Sequence, residues 1–325
     1  MDDDTWRDRY LATRSITNPG ERAALYREAA RGRFVPVVRG VYLDAEEWTR
    51  LDVPGRHVAR MRAQAVLRPH TVFSHLSAAL VWGLPVVATR LVVPHSVTAA
   101  AAGGRSRNEL IRHTIGVPDD LRRIDGLLVT SPQDTVVHVA TTARPETSVP
   151  VLDAALANVE WRLDREVLTA AAERMPSSAG PIRGRWSLGF ADPRSGSAGA
   201  SLSRVTIWRG GLPAPDLQCR FHDGRGLIGI VDFFWPEFGL VGEFDGLGKY
   251  VREDLRDGRD AATVVVDEKR RENRLRALDF RVARWEWADA LSSARLGSIL
   301  GSAGLRASRL QMRVNERVHV QQSGA

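Results

Sequence analysis

The chain has 325 residues, 43% of them apolar and 26% charged, with a formal charge of +7, which is enough material for two or three domains of the usual ~100–200 residues. Its one cysteine, Cys219, excludes an intramolecular disulfide and a cysteine zinc cluster. The acidic start Met1-Asp2-Asp3-Asp4 is unlike a secretory signal, and the longest uncharged run, Pro69 to Thr89, is too broken for a membrane span of ~20 apolar residues. A cytoplasmic protein with no membrane partner is therefore expected. Of the 46 cations 44 are arginines and only Lys249 and Lys269 are lysines, so the high pI of 10.3 reflects arginine chemistry as much as function. The modest surplus suits a polyanionic partner.

The chain is expected to be a multidomain α+β and α/β protein. Residues 1–51 begin with a helix signal, Asn18 as N-cap, Pro19 at the first helical position and Glu21 three after the cap, closed by Gly32. Arg33 to Leu43 reads as two short strands around a basic turn. A helix followed by a basic hairpin is the tail end of a winged helix, with Arg33 and Arg39 as DNA contacts; a small subdomain with solvated arginines reads equally well.

Residues 52–145 are expected to form a small α+β domain. Ser74 is placed as the cap of a helix through Trp82, stopped by Gly83-Leu84-Pro85. Strands are predicted over Arg90 to Pro94 and Gly126 to Thr130 around the Gly/Ala-rich loop Ala99 to Gly104, and Ser131-Pro132 opens another helix. His75, His95, His113 and His138 occur here without metal-ligand spacing, and ordinary core or surface histidines are expected. Residues 146–190 read as a helical connector, with apolar positions from Leu152 to Ala171 at helical spacing.

Residues 191–295 give the order αβββαβ with a mixed sheet, followed by a C-terminal helix and tail over 296–325. The elements are a helix from Ala200 to Trp208, strands Asp216 to Phe221 and Leu227 to Phe234 joined by the hairpin signal Asp223-Gly224-Arg225-Gly226, and a third strand, Leu240 to Asp245. A helix from about Val266 to Leu278, a strand Arg281 to Trp287 and a helical Ala288 to Leu300 complete the order.

The acids here are placed non-randomly. Asp232 interrupts an apolar strand, and Glu243 and Asp245 share a face of the next one because strand side chains alternate with period two. The turn at Pro236 to Gly239 makes these strands antiparallel neighbours, which brings Asp232 close to that face. Carboxylates this close call for a cation, and an all-oxygen set suits Mg²⁺ or Mn²⁺. The less favoured alternative is that the acids lie on a solvated face or pair with arginines. Trp235, Trp285 and Trp287 are expected in the core.

Val231-Asp232-Phe233, Leu240-Val241-Gly242-Glu243-Phe244-Asp245-Gly246, Glu268-Lys269-Arg270-Arg271-Glu272 and Phe280 to Trp285 resemble the domains related to very-short-patch-repair endonucleases, of the PD-(D/E)XK nuclease fold. The resemblance covers about Ala191 to Leu291. Upstream, Arg31-Gly32-Arg33, Val38-Arg39-Gly40-Val41-Tyr42, Ser74 to Ala79 and Trp82-Gly83-Leu84-Pro85 are similar to the actinobacterial AbiEi-type antitoxin proteins, which carry a winged helix. The nuclease resemblance implies a divalent-metal-dependent endonuclease, with Asp232 and Glu243 as metal ligands, Asp245 in support, and Lys249 or Lys269 orienting the attacking water. The helix after the acids would supply Arg270, Arg271 and Arg274 for backbone phosphates. The usual E-x-K of that fold reads Glu243-Phe244-Asp245 here, and Ala200 stands where relatives often carry a glutamate. The antitoxin resemblance implies instead a DNA-binding regulator whose C-terminal domain is a non-catalytic relative of nucleases, with a protein partner as a further possibility.

Overall fold

The computed structural model describes residues 5–99, 109–176, 179–246 and 261–306. Most of the Gly/Ala-rich loop, Gly248, Lys249 and most of the C-terminal tail lie outside them. The chain divides into two compact units, residues 1–143 with 158–189, and residues 144–157 with 190–325.

The first unit opens with a 3-10 turn, Thr5–Arg9, that buries Trp6, followed by strand β1 (Leu11–Ala12). Helix α1 (Pro19–Ala30) starts where the sequence predicts, with the Asn18 carboxamide accepting from the Gly20 amide at 2.8 Å. Strands β2 (Phe34–Val38) and β3 (Val41–Asp44) form the expected hairpin, and the antiparallel sheet runs β1-β3-β2. Helices α2 (Ala45–Arg50) and α3 (Val53–Leu67) follow. Neither is anticipated by the sequence reading, although Asp44 and Asp52 cap them with their carboxylates.

A five-stranded sheet completes this unit. Its strands are β4 (Val72–Phe73), β5 (His95–Val97), β6 (Ile111–His113), β7 (Leu121–Ile124) and β8 (Leu127–Thr130), in the order β6-β5-β4-β8-β7. Helix α4 (His75–Val81) follows β4, and α5 (Pro132–Thr142) follows β8 with Ser131 as its cap. The strand predicted over Arg90 to Pro94 lies further on, at β5. Pro94 has no N–H to give to a ladder, and only its carbonyl is used, accepting from Ile111 N at 2.8 Å. One core serves both sheets, with Trp6, Val41 and Leu43 packed among Met61, Phe73, Leu127 and Val129.

The chain then enters the second unit as α6 (Pro145–Ala157) and returns to the first as α7 (Arg165–Glu173) and α8 (Gly180–Phe190). The second unit continues with α9 (Ala198–Arg209), β9 (Asp216–Asp223), β10 (Gly226–Trp235), β11 (Leu240–Phe244), α10 (Ala261–Arg276) and β12 (Arg281–Trp285). This is the predicted αβββαβ order. The sheet is mixed, β12-β11-β10-β9, with β11 and β12 parallel and the other pairs antiparallel.

The helical stretch predicted after β12 is broken into α11 (Trp287–Ala290) and α12 (Ser293–Ser302), because Ser292 caps a new helix through the Arg295 amide. Phe233, Trp235 and Trp285 pack with Leu202 and Ile207 of α9 in one core; Val241, Leu275 of α10 and Phe280 form another. Trp287, expected in the core, is instead 36% exposed at the start of α11, edge-on to Phe244.

The largest departure from the sequence reading concerns the histidines. His75, His95, His113 and His138 are far apart in sequence but adjoin one another, because α4, β5, β6 and α5 converge. Pairing of β5 with the short parallel strand β6 brings His113 beside His95, and such long-range pairing leaves no local periodicity to read.

Candidate functional site

In the second unit, antiparallel β10 and β11 pair Phe233 with Gly242, and one step along this register sets Asp232 against Glu243 on the same face. Both carboxyls are largely buried, and burial raises each pKa above its ordinary value. Asp232 is held by two donors. Its Oδ1 accepts from Gln218 Nε2 on β9 and its Oδ2 from the Phe244 amide on β11, both at 3.0 Å. Gln218, with its backbone at φ 52°, is a strained residue within a strand.

Glu243 is met by Arg271 of α10, whose Nη2 lies 2.5 Å from Oε1. This guanidinium, with Arg284 adding a smaller share, offsets the upward push that burial and neighbouring Asp232 exert on Glu243. Arg274, one turn along α10, is engaged elsewhere. It binds both Asp223 oxygens, at 2.8 and 2.6 Å, and holds that carboxyl down at about 2.

Asp245 follows β11 directly, half-buried, with its amide bonded to the Trp285 carbonyl at 2.8 Å. Arg270 is exposed and lies 3.5 Å from Asp267. Lys269 is also exposed. Residues two positions apart in a helix are separated by about 200° around its axis, so Lys269 and Arg271 point to different sides of α10. The structure therefore brings together Asp232, Glu243 and Arg271. Lys249 lies outside the described residues.

Gln218 is the member of this site that sequence reasoning missed. The hairpin signal at Asp223 to Gly226 alone would set Leu217 across from Asp232; an irregularity between Leu227 and Gly229 shifts the register by one, pairing Cys219 with Val231 and Leu217 with Phe233 and leaving Gln218 across from Asp232. The acidic pair offers oxygen donors only, the set that Mg²⁺ and Mn²⁺ take. A metal there would compete with Arg271 for Glu243 and with Gln218 and the Phe244 amide for Asp232.

The first unit holds a basic surface. Helix α1 buries Leu25 alone and leaves Arg22, Tyr26 and Arg27 exposed. Arg33 is exposed at the base of the hairpin, 3.7 Å from Glu28, and Arg39 is exposed at its turn, where its amide donates to Glu109 at 2.7 Å. Gly40, at φ 82°, supplies the left-handed residue of that turn.

Two proteins of Mycobacterium tuberculosis, from two strains and both described as uncharacterized, are each 30% identical to this chain over 270 residues, which is 79% of this chain and 94% of each relative. The chain belongs to one family with them. Within the chain, residues 75–182 match the AbiEi antitoxin C-terminal domain. That match takes in α4, α5, the five-stranded sheet from β5 onward and the four converging histidines, and ends before the acidic pair. Among the described residues, no helix is long and apolar enough to cross a membrane.

Proposed function

We propose that this family member is a DNA-binding protein of the antitoxin type, in which α1 and the β2–β3 hairpin form a winged-helix-like surface laid against a duplex. The observation that carries this reading is the exposure of α1. A 12-residue helix that buries one leucine spends its surface on something other than the core, and it presents Arg22, Tyr26 and Arg27, while Arg33 and Arg39 are exposed at the base and at the turn of the hairpin. The sheet order β1-β3-β2, with α1 between β1 and β2, supports the winged-helix reading. The antitoxin-domain match supports the regulatory role. An antitoxin role brings a protein partner into the reading as well.

The test is a salt titration of binding to duplex DNA. Each phosphate contact contributes about one unit to the dependence of log affinity on log salt. The Arg33→Ala, Arg39→Ala double variant is expected to bind at least about tenfold more weakly and with a salt slope shallower by about two. An unchanged affinity and slope would remove the hairpin from the interface.

A second reading is favoured by the opposed, buried Asp232 and Glu243 within an α9-β9-β10-β11-α10-β12 arrangement. In it the second unit is a divalent-metal-dependent endonuclease related to the very-short-patch-repair enzymes. Asp232 and Glu243 would hold Mg²⁺ or Mn²⁺, which supplies a bound water of lowered pKa and charge stabilisation at a phosphate. Asp245 would support the pair and Lys249 would orient the water, or Lys269 after a turn of α10 toward the acids; Arg270, Arg271 and Arg274 would engage the DNA backbone, with Arg271 leaving Glu243 to do so. Nicking of supercoiled DNA with Mg²⁺ or Mn²⁺, abolished by Asp232→Ala, is the expected result of this reading. Binding without nicking leaves the antitoxin reading alone.

A further inference from the structure

Five of the chain's eight histidines, His57, His75, His95, His113 and His138, converge in the first unit. Chance placement would scatter them between core and surface, since histidine is intermediate in its burial. Instead the rings of His75 and His113 stack at 3.6 Å, those of His75 and His138 at 4.7 Å, and those of His95 and His113 at 5.2 Å. His95 Nδ1 lies 3.0 Å from His113 Nε2.

The buried nitrogens are incompletely used. His75 is 1% exposed, its Nδ1 is paired with Ser74 Oγ at 2.8 Å, and its Nε2 has no hydrogen-bond partner. His138 Nδ1 is likewise buried and unpaired. An unsatisfied buried nitrogen is costly and calls for an explanation such as a bound ion. His75 also holds its backbone at φ 54°, a left-handed conformation that is costly for a side-chain-bearing residue and is seen where a site dictates geometry.

The geometry points to a transition-metal site, suited to Zn²⁺, formed by His75, His95 and His113. These three offer ligand nitrogens that all lie within 4.8 Å of one another. Zn–N bonds of 2.0–2.1 Å at tetrahedral angles set nitrogens about 3.3 Å apart, close to the 3.0 Å between the His95 and His113 nitrogens, and the His75 ring, stacked on His113, has to turn to bring Nε2 to the ion. Ser74 Oγ can act as the outer hydrogen-bond partner by accepting from Nδ1–H of His75, the tautomer in which Nε2 keeps its lone pair for the ion. His95 and His113 are only partly buried, which gives the ion a route in. A three-histidine set leaves a fourth position for water or for His138. The bond would tie β6, the edge strand of its sheet, to β5 and α4.

The site lies apart in sequence from the acids, and its test is independent of any DNA-binding or nuclease activity. Purified full-length protein, stripped with a chelator, is titrated with Co²⁺ and then Zn²⁺. One Co²⁺ per chain with the intense visible absorption of a tetrahedral site is expected, displaced by Zn²⁺. X-ray absorption of the Zn²⁺-loaded wild type should show three imidazole nitrogens at 2.0–2.1 Å. His113→Gln and His95→Gln should each weaken tetrahedral Co²⁺ binding at least tenfold. Absence of tetrahedral Co²⁺ binding by the wild type, fewer than three imidazoles on zinc, or equal binding by the folded histidine variants would overturn the assignment. The absorption spectrum of the wild type decides the matter even if a histidine variant does not fold.

Discussion

Arg271 of α10 reaches back 28 residues to place its guanidinium 2.5 Å from the buried carboxylate of Glu243 on β11. The arginine side chain is 22% exposed and the glutamate 10%, so water screens the pair only in part. Arg271→Ala leaves a buried, uncompensated carboxylate beside Asp232, and it is expected to destabilise the second unit by about 1–3 kcal/mol. Adding Glu243→Gln should restore part of that loss, because the amide removes the orphaned charge. Urea unfolding of the two variants checks both statements. If the single and double variants unfold alike, the pair contributes nothing as a pair.

Gly199 lies against Phe244. A Cβ built on it would sit 1.9 Å from Phe244 Cε1, closer than any real contact. Gly199→Ala must therefore push the ring or α9 aside, at a cost of about 1–3 kcal/mol by the usual scale of overpacking. The shift would also bear on Asp232, since the Phe244 amide is one of its two donors. A lowered midpoint of thermal unfolding is expected, and a midpoint unchanged from wild type would contradict it.

Asp153 and Arg204 form the most deeply buried ion pair among the described residues, at 1% and 10% side-chain exposure and 2.8 Å apart. Each is further satisfied. Asp153 Oδ1 accepts from the Asp192 amide, and Arg204 donates to the Phe190 carbonyl while lying over the Phe190 ring. Burial nevertheless pushes the Asp153 carboxyl upward, against the pull of Arg204. Removing one partner should cost about 3–5 kcal/mol, as in Arg204→Met, and the Asp153→Leu, Arg204→Met pair should cost much less. A double-variant cycle by chemical denaturation measures the difference.

The histidine cluster makes the metal-free first unit acid-sensitive. Burial lowers His57, His113 and His138 to about 4 and His95 to about 3. A base whose folded pKa lies below its unfolded one takes up protons preferentially when the chain unfolds. Stability is thus fully present above about pH 6.5 and falls as the pH drops from there toward 4, by about 1.4 kcal/mol per pH unit for each group in its window. Unfolding of chelator-treated protein between pH 7.5 and 4.5 should show this slope, and a flat profile would contradict the burial of the cluster.

Much of the second unit was legible in the sequence because its signals are local. Asp223 to Gly226 marks a hairpin, Asp232 and Glu243 stand out in apolar strands, and alternation fixes their faces. Arg271 was recognisable as a cation on the right helix, but its partner depends on how α10 settles over β11, which no spacing encodes. In the first unit the caps at Asn18 and Ser131 were readable. Helix α3 was not, although Asp52 and Pro54 sit at its start, because Gly55 and the arginines that follow weaken its apolar pattern. The histidines were seen singly and their convergence was not, since two-residue and three-residue strands from distant segments create it.

Because residues 144–157 belong with residues 190–325 while 158–189 belong with the first unit, the polypeptide passes from one unit to the other three times. No single cut separates them into intact halves. A fragment beginning at residue 191, where the Gly- and Pro-rich sequence invites a boundary, would contain Arg204 but not Asp153, and would expose the face of α9 that α6 covers. Proteolytic dissection or transplantation of the acidic unit therefore has to carry α6 along, or the charge it neutralises will unfold what remains.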